Sequence, residues 1–261
     1  MRRSALRVTI VVATLAVLLG AQPSRADLSL NVQPARYEMQ VSAGGSQTIP
    51  VVVRNDGDAP THVIASMNDF SINGSGQYAF LPPGATRFSA GKWSTVNPRE
   101  FDLAPGAFQQ LRYTVDVPHG AAGEYSALIF FTTRRPRQPG AFVLTERVAS
   151  RMYVLVGDTA NVSGDVADVS SHAAAGGRRY SVTFKNTGNM HVFLSGHIEV
   201  KAGDVVVDRL TMPESQIVER GGIRVVDVTG KALAPGTYSA TAVVDYGGSA
   251  RVAGQTRFTV Q

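Results

Sequence analysis

The sequence predicts an all-β protein. Three observations carry that reading. Segments that alternate in polarity, or are rich in β-branched and aromatic residues, recur at short intervals: 47–54, 62–70, 108–117, 124–133, 142–156, 180–185, 191–201, 204–210, 223–228, 238–245 and 255–260. Turn signals separate many of them, among them Asn55-Asp56-Gly57-Asp58, Asn73-Gly74-Ser75-Gly76, Pro82-Pro83-Gly84, Ala104-Pro105-Gly106, Asn186-Thr187-Gly188 and Asp245-Tyr246-Gly247-Gly248. No window sustains a 3.6-residue apolar period between helix caps. Ala173-Ala174-Ala175, beside Gly176-Gly177, reads as loop.

A weak internal repeat divides these strands into two sets. Val53-Arg54-Asn55-Asp56-Gly57 leads into a strand at 62–65, and Phe184-Lys185-Asn186-Thr187-Gly188 leads into one at 191–194. Val115-Asp116-Val117 precedes Gly123-Glu124-Tyr125-Ser126-Ala127, and Val226-Asp227-Val228 precedes Gly236-Thr237-Tyr238-Ser239-Ala240. Two Ig-like β-sandwich domains in tandem account for the pattern, one over 27–157 and one over 158–261, joined near Gly157-Asp158-Thr159. Domains of that size can bury a core without covalent staples.

The N-terminus reads as a secretory signal peptide over 1–26. Met1-Arg2-Arg3-Ser4-Ala5-Leu6-Arg7 is basic, residues 8–21 are apolar but too few to span a bilayer, and Ser24-Arg25-Ala26 offers small residues for cleavage. The segment carries four arginines and no acid, so the formal net charge of +5 becomes +1 in the mature chain. A nearly neutral exported chain has no global electrostatic case for nucleic acid. No later segment reaches the length of a membrane span. With no cysteine, disulfides, thiolate metal sites and cysteine nucleophiles are excluded.

Residues that carry chemistry are sparse. There is no nucleophile elbow, no His-Glu-x-x-His and no phosphate-binding glycine loop. The five histidines are scattered. His191 and His197 share a strand face but lie about 20 Å apart, too far for joint ligation of a metal. Asp165 and Asp168 read as a solvated edge, and Trp93 as a packing residue. No carboxylate pair stands out as catalytic, so the sequence implies a binding protein with no enzyme activity, cofactor or metal. Arg134-Arg135-Pro136-Arg137-Gln138-Pro139-Gly140 is a basic, proline-rich loop between two strong strands. It reads either as a solvated hairpin loop or as a partner-docking loop carrying Arg134, Arg135 and Arg137.

The order of these features resembles a known family. Leu30-Asn31-Val32-Gln33-Pro34-Ala35-Arg36-Tyr37 looks like an opening strand with its arginine, and 49–55 like a second strand ending in Asn. Val96-Asn97-Pro98 and Leu103-Ala104-Pro105-Gly106, followed by Leu111-Arg112-Tyr113, are similar to the family's proline-leucine-proline-glycine stretch. Segments 124–133 and 142–156 flank the Arg/Pro loop as two strands of a subunit-binding edge would. On these residues the first domain resembles that of the periplasmic pilus-assembly chaperones of the chaperone–usher pathway (PapD-like).

The resemblance implies a mechanism. Such a chaperone lends its last first-domain strand to an incomplete subunit by β-augmentation, and two basic residues in the interdomain cleft hold the subunit's C-terminal carboxylate. Carried onto this chain, the cleft cations are Arg36 and Arg151. The donor strand is 142–148, with Phe142, Leu144 and Val148 as knobs. The implied partners are pilin-like subunits and an outer-membrane usher, and the implied location is the periplasm. Two features depart from the pattern. Glu146 shares the face of the knobs, which implies a bulge or a shifted register, and Leu155-Val156-Gly157-Asp158 stands where the family closes the strand with Arg-Pro. A secreted or cell-surface Ig-like module with a structural or adhesive role is the alternative that the residues leave open.

Overall fold

The computed structural model describes residues 29–134 and 145–261, so the signal-peptide segment, Arg135, Arg137, Phe142 and Leu144 lie outside the described residues. All regular structure among the described residues is strand. The first set comprises β1 (Leu30–Gln33), β2 (Arg36–Val41), β3 (Ser46–Asn55), β4 (Thr61–Ile72), β5 (Tyr78–Leu81), β6 (Ser94–Asn97), β7 (Glu100–Leu103), β8 (Phe108–Asp116), β9 (Gly123–Arg134) and β10 (Arg147–Val156). The second comprises β11 (Gly164–Ala174), β12 (Gly177–Asn186), β13 (Val192–Ala202), β14 (Val205–Thr211), β15 (Gln216–Val218), β16 (Ile223–Gly230), β17 (Gly236–Asp245) and β18 (Val252–Val260).

Each set makes two facing sheets. In the first, β1-β3-β8-β6 packs on β2-β10-β9-β4-β5, with β7 joined to β4. In the second, β11-β12-β16 packs on β14-β13-β17-β18, with β15 joined to β13. The protein is thus two Ig-like sandwiches in tandem. Period-two alternation sets the cores. Ile49 and Val51 of β3 lie opposite Tyr113 and Leu111 of β8, and with Val53 and Val115 they pack against Ala127, Ile129 and Phe131 of β9. In the second sandwich Tyr180, Val182 and Phe184 pack with Leu194, Ile198, Ala240, Ala242 and Val244. Trp93 lies against the first core, its ring 4.3 Å from that of Tyr125.

The unbroken apolar run Ala127-Leu128-Ile129-Phe130-Phe131 shows what covers β9. Its odd-numbered members fill the first core, while Leu128 and Phe130 turn the other way into a third cluster with Phe70, Tyr153 and Ile217, the last from the second sandwich. A strand buried on both faces reads as continuous rather than alternating. Phe80 of β5, Arg147 of β10 and Ile217 of the second domain cover the other face.

The opening strand expected over 30–37 is two strands. Pro34 cannot donate to a ladder, and the chain changes sheets there. Before it, β1 pairs antiparallel with β3; after it, β2 pairs parallel with β10. Ala173 and Ala174, expected in a loop, extend β11 opposite Arg178 and Gly177, and the turn falls at Gly176 with φ +76°. Short strands β5, β6 and β7 had no clear sequence signal.

The internal repeat has a structural cause. Asn55 is buried, and its amide donates to the carbonyls of Ala59 (2.8 Å) and Leu103 (3.2 Å) while its Oδ1 accepts from the Gly57 N–H (3.0 Å). Asn186 does the same in the second domain, donating to Met190 (2.8 Å) and Val218 (3.2 Å) and accepting from Gly188 (2.9 Å). Each Asn ties a turn to a neighbouring strand from inside the sandwich. Asn55→Ala and Asn186→Ala should each destabilise the protein by about 2 kcal/mol or more, because several buried backbone groups lose their partners at once. Urea midpoints of the two variants measure this. A loss below about 0.5 kcal/mol in either would show that water replaces the side chain without cost.

Candidate functional site

The parallel pairing of β2 with β10 puts Arg36 directly opposite Arg151. Adjacent strands lie about 4.8 Å apart, so the two guanidinium stems leave the sheet side by side. The alternate residues Arg36, Glu38 and Gln40 of β2 and Arg151, Tyr153 and Leu155 of β10 lie in matched register, while Met39, Val41, Met152, Val154 and Val156 fill the first core. The face that carries the arginines is the one turned toward the second domain. The structure therefore brings together the two cations that sequence reasoning singled out.

Each guanidinium is held. Arg36 lies over the Phe193 ring of β13, 4.8 Å from its centroid, and its Nε is 3.3 Å from Glu38 Oε1. Arg151 donates from Nη1 to the Tyr78 hydroxyl at 2.9 Å. Tyr78 belongs to a chain of aromatic contacts. Its ring is 6.2 Å from those of Phe70 and Phe80, Phe80 is 4.9 Å from Phe130, and Phe70 is 6.0 Å from Tyr153. Tyr78 and Phe80 are exposed. Arg147 stacks on Phe130 at 4.8 Å. Two fixed cations at the rim of an exposed aromatic surface suit a carboxylate attached to an apolar chain.

Polar contacts fix the second domain against this sheet. His191, just before β13, donates its backbone N–H to Glu124 Oε1 at 2.9 Å, and its Nδ1 lies 2.7 Å from Oε2 of the same carboxylate. Both residues are buried. The imidazole stacks on Tyr153 with centroids 4.2 Å apart, and its Nε2 faces Glu38 Oε1 at 3.5 Å. Arg220 donates to the carbonyls of Ala122 and Glu124, both at 3.0 Å, and covers the Phe88 ring at 3.8 Å. Glu219 Oε2 accepts the Ile72 N–H at 3.2 Å. Burial in this seam, with the Glu124 charge adding to it, pushes the Glu219 carboxyl up to about 7.

The other predicted site residues fall differently. Val148, expected as a knob for a partner, packs against the core of its own domain opposite Phe131 of β9. It has the parity of Met152 and Val154, so the strand's pleat aims it inward. Arg134 is not in the loop but is the exposed last residue of β9, opposite His62 of β4. Glu146 needs no bulge. Its carboxylate accepts the Leu30 N–H at 3.0 and 3.1 Å, and β10 then pairs β9 in unbroken register from Arg147 to Val156. Sequence reasoning passed over Glu38, Tyr78, Glu124, Phe193 and Glu219, and weighed His191 only as a metal ligand. The repeat held one signal: Glu124 stands where the second copy has Thr237, a charge on a buried strand that needed a partner.

No family model matches the sequence, and no curated protein does. Solved structures do. The class 5 fimbriae chaperone CfaA is 12% identical, with a TM-score of 0.50 over 87% of this chain and 99% of that one. The chain has the fold of that chaperone. The E. coli chaperone DraB (16% identity, TM-score 0.46, 90% and 98% covered) and the complex of Salmonella enterica SafA pilin with the SafB chaperone (15%, 0.45, 89% and 96%) were also found. At these identities the likeness is one of fold.

The raised Glu219 carboxyl gives the seam a pH dependence of definite sign. In the unfolded chain Glu219 loses its proton near its ordinary value of 4.5, whereas the folded chain keeps it to about 7. The folded state binds more protons across that window, so this group's contribution to stability falls as pH rises through it and is fully lost above it. The loss is on the order of 3 kcal/mol. Glu219→Gln keeps an acceptor for the Ile72 N–H and carries no charge. Urea midpoints at pH 5 and pH 8 should converge in that variant relative to wild type. An unchanged difference would mean that the carboxyl is ionised in the fold at both values.

Proposed function

We propose that the chain is a periplasmic chaperone of pilus or fimbrial subunits, a binding protein rather than an enzyme. It anchors a subunit's C-terminal carboxylate on Arg36 and Arg151 and lends the strand that leads from Phe142 into β10. The observation that supports this reading best is the direct parallel pairing of Arg36 with Arg151 in the cleft between two sandwiches. A carboxylate has two oxygens, and two guanidiniums on neighbouring strands can each give it charge-assisted hydrogen bonds. The exposed aromatic surface beside them would receive the apolar residues that precede the carboxylate.

The edge of β10 supports strand donation. β9 pairs with β10 from Arg147 to Val156, whereas β2 pairs with it only from Arg151 to Val156. Residues 147–150 thus have a ladder on one side only among the described residues. Leu30 and Pro34 approach there through the Glu146 carboxylate and the Ser150 hydroxyl. A subunit strand entering ahead of Arg151 would continue the line of β2, its carboxyl end meeting the two cations. Phe142 and Leu144 remain the proposed knobs, with Arg134 at the exposed end of β9 and Arg135 and Arg137 in the segment that follows as proposed docking residues. An outer-membrane usher would receive the loaded complex.

Co-expression with a pilin-like subunit should give a complex that survives affinity purification. Arg36→Ala and Arg151→Ala should each weaken it by about tenfold or more, the value of a hydrogen bond to a charged group. Both variants should keep wild-type melting temperatures within a few degrees. Complexes that form equally well with either substitution would refute the anchor.

A further inference from the structure

The cleft holds an anion of its own. Glu38 lies two residues along β2 from Arg36 and faces the same side. A single oxygen, Oε1, is 3.3 Å from Arg36 Nε and 3.5 Å from His191 Nε2. Both distances exceed the usual length of a charge-assisted hydrogen bond, so neither contact is fully made. Glu38 is poised between a cation of the first domain and a ring of the second. Its partners differ sharply in setting. The Arg36 side chain is 42% exposed and the Glu38 side chain 49%, whereas that of His191 is 3% exposed and fixed by Glu124 and Tyr153.

We propose that Glu38 is a built-in counter-ion that a client's terminal carboxylate displaces from Arg36, and that His191 is the group that receives it. This rests on the reading of Arg36 and Arg151 as the carboxylate anchor. In the unloaded chain Glu38 offsets the repulsion between two neighbouring guanidiniums. An incoming carboxylate competes for the same Nε. Glu38 then shifts toward Nε2, where a ring that donates from Nδ1 to Glu124 and from Nε2 to Glu38 satisfies both acids. The second domain thereby takes part in the anchor without touching the client. The competition favours clients that bring a negative charge to the cleft over apolar strands that merely fit it.

The test measures a preference. The probe is a six-residue peptide of alternating Val and Thr with a free C-terminal carboxylate, compared with its C-terminal amide. Dissociation constants come from NMR titration of the full mature chain. The ratio of the amide's to the acid's constant reports the carboxylate alone and is insensitive to general loosening of the fold. Wild type should prefer the acid. Glu38→Gln should raise that preference about two- to five-fold, the range of an exposed ion pair. His191→Gln should lower it, because Glu38 then stays on Arg36. In the Glu38→Gln background, His191→Gln should have no further effect. A preference unchanged or reduced by Glu38→Gln would overturn the inference. So would an effect of His191→Gln that persists undiminished in the double variant. If wild type itself does not distinguish acid from amide, the carboxylate anchor fails, and the displacement mechanism fails with it.

Discussion

The geometry of the candidate site depends on one backbone arrangement, the parallel pairing of β2 with β10. Most strand neighbours in the molecule are antiparallel, and this one exists because the chain crosses between sheets at Pro34. The crossing makes Arg36 the first residue of the new strand. The parallel register then places it against Arg151, more than a hundred residues later in sequence. Two guanidiniums at that spacing repel one another. They are tolerable because they face solvent at a cleft, because Glu38 and Tyr78 hold them, and because Phe193 offers Arg36 the face of a ring.

The second domain is more than a support. Its residues complete the cleft from the opposite side, and the buried Glu124–His191 pair joins the two sandwiches at the edge of the site. A buried acid is costly unless every acceptor is met. Glu124 meets that demand with the backbone and the ring of one residue, so the contact specifies an orientation as well as an attachment. Apolar contacts of Ile217 and Phe193 with Phe70, Leu128, Phe130 and Tyr153 supply area around it. The cations on one domain therefore face a wall on the other that these contacts hold in place.

Much of the fold was legible in the sequence because its signals are local. Alternation in 47–54 and 108–117, the turns at Asn55 and Asn186, and the apolar run at 127–131 each follow from nearest neighbours and period two. Arg36 and Arg151 were legible only through a family resemblance, since nothing local pairs residues so far apart. The crossover at Pro34 shows in the sequence only as a proline within a strand-like segment, because its consequence, a change of sheet, is not local. Val148 was assigned to a partner although its parity with Met152 and Val154 already marked it as core. Glu38 and His191 were not legible in these roles, and Glu124 only as a charge on a buried strand without a visible partner. Each is an ordinary polar residue until tertiary structure sets it against the others.

The most direct test of the account is a crystal structure of the mature chain bound to a pilin-like subunit. The subunit's terminal carboxylate is expected about 3 Å from both the Arg36 and the Arg151 guanidiniums, with the preceding subunit strand continuing the line of β2 along β10. A subunit bound elsewhere, with Arg36 still on Glu38 and Arg151 still on Tyr78, would contradict it.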